Sequence, residues 1–147
     1  RAEMLAKLRW GHFNTVFIAV PPLGGQYGTS DAAGFGAMVD DCRAAGISVH
    51  AWFQNFKRLG ESTQADFTNA AERAAQRQWV LDLLAAYPKV EGVQCDYIRY
   101  STWEACSGAK MQGVADTVRA IREAVAPRPV TCAVFNAASI SFRMRLR

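Results

Sequence analysis

Apolar residues along this chain follow two spacings, one typical of buried strands and one typical of amphipathic helices. Continuous apolar runs of strand length predict four strands, within 14–20, 47–53, 91–100 and 130–135. Apolar residues that recur every three or four positions predict four helices, at 2–10, 31–45, 66–87 and about 111–125. The predicted strands and helices therefore alternate along the whole chain.

This alternation predicts an α/β fold with a parallel sheet covered by helices. Two architectures follow the rule, the open doubly wound sheet and the (β/α)8 TIM barrel, and the strand spacing fits both. A complete barrel needs about 250 residues, so the 147 residues here would form a partial barrel, with about strands two to five. We assign residues 1–136 to this domain and residues 137–147 to an irregular basic tail.

Composition and charge narrow the class of protein. Half of the residues are hydrophobic and 20% are charged, which is sufficient for one globular domain with its own core. The net charge is +4, but Arg143, Arg145 and Arg147 lie in the tail, and without them it is 4 − 3 = +1. We therefore expect no nucleic-acid partner. Because no apolar run is long enough, we also expect no membrane span.

The cysteines and glycines offer no cofactor site. Cys42, Cys95, Cys106 and Cys132 form no C-x-x-C pair and have no nearby histidine at ligand spacing, so we expect no metal. Cys95 and Cys132 fall inside strand-like runs, which indicates small buried side chains and leaves their redox state open. The glycine-rich segment 21–31 lacks a phosphate-binding motif, and we interpret it as a loop.

The third predicted strand carries the clearest candidate chemistry, because it ends in Gln94, Cys95 and Asp96. In parallel α/β folds the carboxyl ends of the strands form the site. Strand alternation places Gln94 and Asp96 on one face and Cys95 on the other. Asp96 is then a candidate nucleophile or acid/base. It could equally cap the following turn or pair with Arg99.

Two motifs carry a resemblance to a known group of proteins. GVQCDYIRY, at 92–100, resembles the fourth-strand signature of glycosidase-like (β/α)8 barrels, related to the α-amylase and α-galactosidase superfamily. ISVHAWFQNF, at 47–56, resembles the third strand of the same barrels. The resemblance covers roughly residues 47–100, and it implies a TIM barrel that acts on carbohydrate.

The resemblance also implies roles for individual residues. Asp96 stands at the position of the catalytic nucleophile, whereas Gln94 replaces the arginine that supports this nucleophile in α-amylases. The other implied substrate-binding positions on the two motifs are His50, Trp52, Asn55, Arg99 and Tyr100. Because Gln54 precedes it, Asn55 lies one position away from the polar residue that is usual in the third-strand motif.

Some of these side chains have ordinary structural interpretations as well. His50 could be a hydrogen-bonded core histidine. Trp52, Tyr97, Tyr100 and Trp103 could stack on sugar rings or could simply pack in the core. Asn136 ends the fourth predicted strand and completes the set of predicted substrate-binding residues.

The predicted function is a glycoside hydrolase-like domain that acts on a poly- or oligosaccharide. Such hydrolysis usually needs two carboxyl groups about 5 to 9.5 Å apart. Glu104 and Asp31 are possible second groups on loops, and a position after residue 147 is favoured over both.

Two other functions stay open. One is a non-catalytic carbohydrate-binding or scaffold barrel, and the other is an open α/β domain that binds a phosphate ligand through the 21–31 loop. The resemblance favours an extracellular or cell-envelope location. A partial barrel would also leave sheet edges uncovered, which predicts self-association.

Overall fold

The fold was obtained as a computed structural model, which describes residues 1–23, 34–57, 64–98 and 108–133. Predictions that concern Asp31, the glycines at 24–28, Arg99, Tyr100, Trp103, Glu104, Asn136 and the 137–147 tail lie outside these ranges. The described chain is an α/β structure with a four-stranded parallel sheet and four helices.

The elements alternate as the hydrophobic pattern predicts. The strands are β1 (Thr15–Ala19), β2 (Ser48–Gln54), β3 (Gly92–Asp96) and β4 (Val130–Cys132). The helices are α1 (Ala2–Trp10), α2 (Phe35–Ala44), α3 (Ala70–Ala86) and α4 (Gly108–Val125). The strands pair in the order β1-β2-β3-β4, and all pairs are parallel. The predicted sequential order of parallel strands is therefore confirmed, whereas closure into a barrel stays a prediction.

Helix α2 ends where the sequence predicts, because Gly46 adopts a left-handed backbone conformation with φ +74°. The N–H of Gly46 donates to the Arg43 carbonyl, and that of Ile47 donates to the Cys42 carbonyl. These two bonds form a Schellman motif, which caps the helix and turns the chain directly into β2.

Helix α3 begins later than predicted. Asp66 accepts hydrogen bonds from the backbone and hydroxyl of Thr68, and Asn69 accepts from the N–H groups of Ala71 and Glu72. Asn69 is therefore the N-cap, because its side chain satisfies N–H groups of the first helical turn. Phe67, predicted on the apolar stripe of this helix, instead lies before it and is fully buried.

The core lies on one side of the sheet. Val49, Ala51 and Phe53 of β2 are completely buried, and Val93 and Cys95 continue the same layer on β3. Side chains from all four helices join this cluster. In the resulting contacts, the Phe53 ring meets the Trp79 ring of α3 edge-on, with centroids 4.8 Å apart.

The opposite side of the sheet, called the open face below, contributes no described side chain to that cluster. Its residues are Thr15, Phe17, Ala19, Ser48, His50, Trp52, Gln54, Gly92, Gln94, Asp96 and Thr131, as the pairing register places them. Phe17 is 54% exposed there. Doubly wound sheets carry helices on both faces. In contrast, the described helices all pack on one face of this sheet.

Several aromatic side chains are exposed near β1, which is an edge strand of the described sheet. Trp10 is 86% exposed and Phe13 is 58% exposed, and Phe17 lies on β1 itself. Exposed aromatic rings beside a strand edge are typical of surfaces that associate. Self-association through this edge stays a prediction.

Helix α4 approaches the segment before α3 so closely that one position accepts only glycine. A Cβ atom on Gly113 would lie 2.3 Å from the Phe67 carbonyl oxygen. The Phe67 ring in turn packs on the Phe56 ring, with centroids 4.0 Å apart, so the carbonyl cannot easily move.

We therefore expect Gly113→Ala to lower the free energy of unfolding by about 1–3 kcal/mol, because overpacking outweighs the better helix propensity of alanine. Urea denaturation followed by circular dichroism measures this change. Gly108→Ala, at the first residue of the same helix, is the control, since a Cβ there meets no atom within 4 Å. A Gly113→Ala protein as stable as this control would contradict the close approach.

Candidate functional site

Asp96 is the last residue of β3, and its carboxylate is held by two neutral donors. The indole Nε1–H of Trp52 donates to Oδ2 over 3.2 Å, and the backbone N–H of Tyr97 donates to Oδ1 over 2.7 Å. Asp96 is partly buried. Donors of this kind fix the orientation of a carboxylate.

The pairing register orders the open face by level along the strands. Phe17, His50 and Gly92 share one level, and Trp52 lies opposite Gln94 two residues further on. Asp96 lies opposite Gln54, nearest to the carboxyl end. At about 3.3 Å per residue, the Cα atom of His50 is thus about 13 Å from the level of Asp96. Trp52 bridges this interval, and the register does not place His50 beside Asp96.

His50 occupies a tight position deeper on the same face. A Cβ atom on Gly92 would lie 2.6 Å from three atoms of the imidazole ring, so the ring rests directly on the Gly92 backbone. Phe17 meets the other side edge-on, with ring centroids 5.5 Å apart. Burial lowers the pKa of His50 below its ordinary value, although the nearby Glu91 carboxylate acts in the opposite direction. The ring nitrogen Nδ1 is buried and has no hydrogen-bond partner in the described chain.

Gln94 is held from the neighbouring strand. The single hydroxyl hydrogen of Thr131 on β4 can be donated to Gln94 Oε1 or to the Val93 carbonyl oxygen, which lies 3.3 Å away. The Gln94 side chain is thus neutral and already has a hydrogen-bond partner.

Asn55 lies away from the open face. It is fully buried, and its Nδ2 donates to Oε1 of Gln76 on α3 over 3.2 Å. The same oxygen accepts the backbone N–H of Phe56 over 3.1 Å. Asn55 exposes no surface in this conformation and supports the turn after β2, and its role in substrate binding stays a prediction.

Sequence reasoning missed Gln76, which is also fully buried. Its position three and four residues before Trp79 and Val80 places it on the buried face of α3. A lone glutamine in an apolar helical stripe is the signal that could have identified it, because a buried amide needs hydrogen-bond partners.

The turns after β2 and β3 both contain a bulky residue with a left-handed backbone. Phe56 has φ +60° and Tyr97 has φ +58°, a conformation that is unusual for aromatic residues. The Tyr97 carbonyl accepts a hydrogen bond from Gln64, and the Lys57 ammonium lies 5.0 Å from the centroid of the Tyr97 ring. Strained backbone of this kind clusters at functional sites.

The two turns are also joined to each other. The backbone N–H of Asn55 donates to the carbonyl oxygen of Asp96 over 2.9 Å. Through this bond, the hydrogen-bonded amides of Asn55 and Gln76 hold the backbone of Asp96 in place. This connection makes the carboxyl edge of β2 and β3 one rigid unit.

The described chain contains no group of three His, Cys, Asp or Glu side chains placed to hold a metal ion. Among the same residues, no helix has the length and apolar character that crossing a membrane requires.

The chain was also compared with family models, curated proteins and solved structures, and none of them matches it. The fold and the site therefore define a structural class of protein. It is an α/β domain with helices on one face of a parallel sheet and a carboxylate on the other face.

The buried environment of His50 predicts a pH dependence of stability. Since burial favours the neutral ring in the folded state, protonation favours unfolding. The free energy of unfolding should therefore fall as the pH drops below the ordinary histidine pKa of 6.5. Urea denaturation between pH 7.5 and pH 5 should show this loss, and His50→Gln should reduce it.

The exposed His12 provides the matched control for this measurement. Asparagine tolerates the left-handed backbone found there, with φ +55°. The His12→Asn protein should lose stability on the acid side as the wild type does, because His50 is intact. Identical pH profiles for His50→Gln and the wild type would contradict the assignment.

Proposed function

We propose that this chain is part of a (β/α)8 glycoside hydrolase domain and that Asp96 is the carboxylate that acts on the glycosidic bond. One observation carries the proposal. Asp96 ends a central strand of the sheet, on the face that no described helix covers, and the Trp52 indole orients its carboxylate. The resemblance of 47–56 and 92–100 to two barrel strands points in the same direction.

The order of the strands, and the side of the sheet on which the helices pack, support the proposal. Four parallel strands in sequential order, with all described helices on one side, have the arrangement of consecutive βα units in a barrel. In such a barrel the open face would be the interior, which layers of side chains from alternate strands would fill.

The chemistry of the open face fits a carbohydrate better than a phosphate ligand. Its described strand positions contain a carboxylate, amide and hydroxyl groups, and aromatic rings, but no lysine or arginine. Amides and hydroxyls exchange hydrogen bonds with sugar hydroxyls, and the rings of Trp52 and Phe17 offer flat apolar surface. A phosphate ligand would meet no lysine or arginine side chain at these strand positions.

Binding without hydrolysis is the second candidate function, and one observation favours it. Asp96 is the only acidic residue within β1–β4, whereas glycoside hydrolysis usually needs two carboxyl groups. The hydrolase proposal therefore places the second carboxylate outside these four strands.

The substitution Asp96→Asn tests the hydrolase proposal. The side chains are nearly equal in size, so the fold should persist, but the amide cannot act as a nucleophile or as a charged stabiliser. We expect turnover of a cleaved oligosaccharide to fall by about 10³-fold or more. The measurement is hydrolysis of a polysaccharide and oligosaccharide panel at matched thermal stability.

Asp82→Asn is the matched control, because Asp82 is a carboxylate on α3 that accepts an exposed hydrogen bond from Gln78. This variant should hydrolyse at the wild-type rate. Asp96→Asn at the wild-type rate would contradict the catalytic role. Binding of sugar by the wild type without any hydrolysis would instead favour the binding domain.

A further inference from the structure

Cys95 and Cys132 form a pair of thiols that the proposed carbohydrate chemistry does not use. They are register partners on the adjacent parallel strands β3 and β4. Paired residues of neighbouring strands project from the same face of a sheet, and here it is the face that packs against the helices. The two side chains are close enough to shift each other's pKa.

The spacing of the strands suits a covalent bond between these sulfurs. Neighbouring strands lie about 4.7–4.9 Å apart, and disulfides join residues whose Cα atoms are about 4.4–6.8 Å apart. Both cysteines are free in the structure. No large rearrangement of the backbone is needed to join them.

We propose that Cys95 and Cys132 are a redox-active dithiol, which a low-molecular-weight disulfide such as oxidised glutathione converts to an intramolecular disulfide. The proposal is independent of any activity on carbohydrate. Because Asp96 directly follows Cys95, the bond would tie the strand that carries Asp96 to β4.

The two thiols have different roles in this reaction. Cys132 is partly exposed, whereas Cys95 is fully buried. The interaction with Cys95 lowers the pKa of Cys132 to about 7, and the same interaction together with burial raises the pKa of Cys95. Cys132 is therefore the accessible thiolate and the attacking group.

The exchange proceeds in two balanced steps. The Cys132 thiolate attacks one sulfur of oxidised glutathione, so a mixed disulfide forms, the glutathione S–S bond breaks and one glutathione thiolate leaves. Cys95 then attacks the Cys132 sulfur, the mixed disulfide bond breaks, and the departing glutathione sulfur takes the Cys95 proton, so the second glutathione leaves as a thiol. Overall, two protein thiols are oxidised and one glutathione disulfide is reduced to two thiols.

Cys42 is the natural control thiol. It is fully buried in α2, and burial together with the neighbouring Asp41 carboxylate raises its pKa. At neutral pH it should remain a thiol while Cys132 reacts. Cys42→Ser therefore removes one cysteine without touching the pair.

The test treats the reduced whole chain with oxidised glutathione, blocks remaining thiols and maps tryptic peptides by mass spectrometry without reduction. We expect peptide 90–99 to be linked to peptide 123–143 in the wild type and in Cys42→Ser. Cys132→Ser should abolish the link, and Cys95→Ser should stop at a glutathione adduct on Cys132. In the reduced wild type at pH 7.5, iodoacetamide should modify Cys132 about tenfold or more faster than Cys42.

The wild-type peptide map and the alkylation rates decide the matter even where a serine variant fails to fold. A link from Cys132 to any other cysteine would overturn the proposal. So would a glutathione adduct on Cys132 of the wild type that never resolves to the linked peptides, or equal alkylation rates for Cys132 and Cys42.

Discussion

The burial of one sheet face against the helices is the constraint on which the rest of the structure depends. Val49, Ala51 and Phe53 of β2 are fully buried in a core that all four described helices share. Because side chains alternate along a strand, this burial forces His50, Trp52 and Gln54 to the opposite face. A one-residue slip of register would exchange the two sets and place polar groups in the core. The hydrophobic pattern therefore also sets the direction of every candidate functional side chain.

The carboxyl edge of the sheet depends on a second, polar constraint. One oxygen of the buried Gln76 accepts hydrogen bonds from the Asn55 side chain and the Phe56 backbone, across the boundary between α3 and the turn after β2. These two bonds favour one conformation of the turn, while Asn55 Oδ1 and Gln76 Nε2 are buried without a hydrogen-bond partner among the described residues. The turn then binds the Asp96 carbonyl through the Asn55 N–H. Helix packing and the position of Asp96 are linked through these few bonds.

Most of the fold could be predicted from the sequence, since apolar spacing marks all the described strands and helices. The opposite faces of Asp96 and Cys95 also follow from strand alternation alone.

Other features of the structure depend on tertiary contacts that the hydrophobic pattern does not contain. Asn69 competes with Asp66 for the start of α3, and Met111, predicted on the buried stripe of α4, is 44% exposed. The resemblance implies a substrate-binding role for Asn55, but its buried partner Gln76 comes from a helix about twenty residues later. The contact between Trp52 and Asp96 requires the pairing register, which the sequence does not state.

The central claim is that the open face, and not the helical layer, receives the ligand. The most direct measurement is a ¹H–¹⁵N NMR titration of the protein with oligosaccharides, read at the side-chain N–H groups. The account predicts that the indole signal of Trp52 and the amide signal of Gln94 shift, while the amide signals of Asn55 and Gln76 stay in place. Saturable shifts confined to side chains on the outer surfaces of α3 and α4, with Trp52 and Gln94 unchanged, would contradict it.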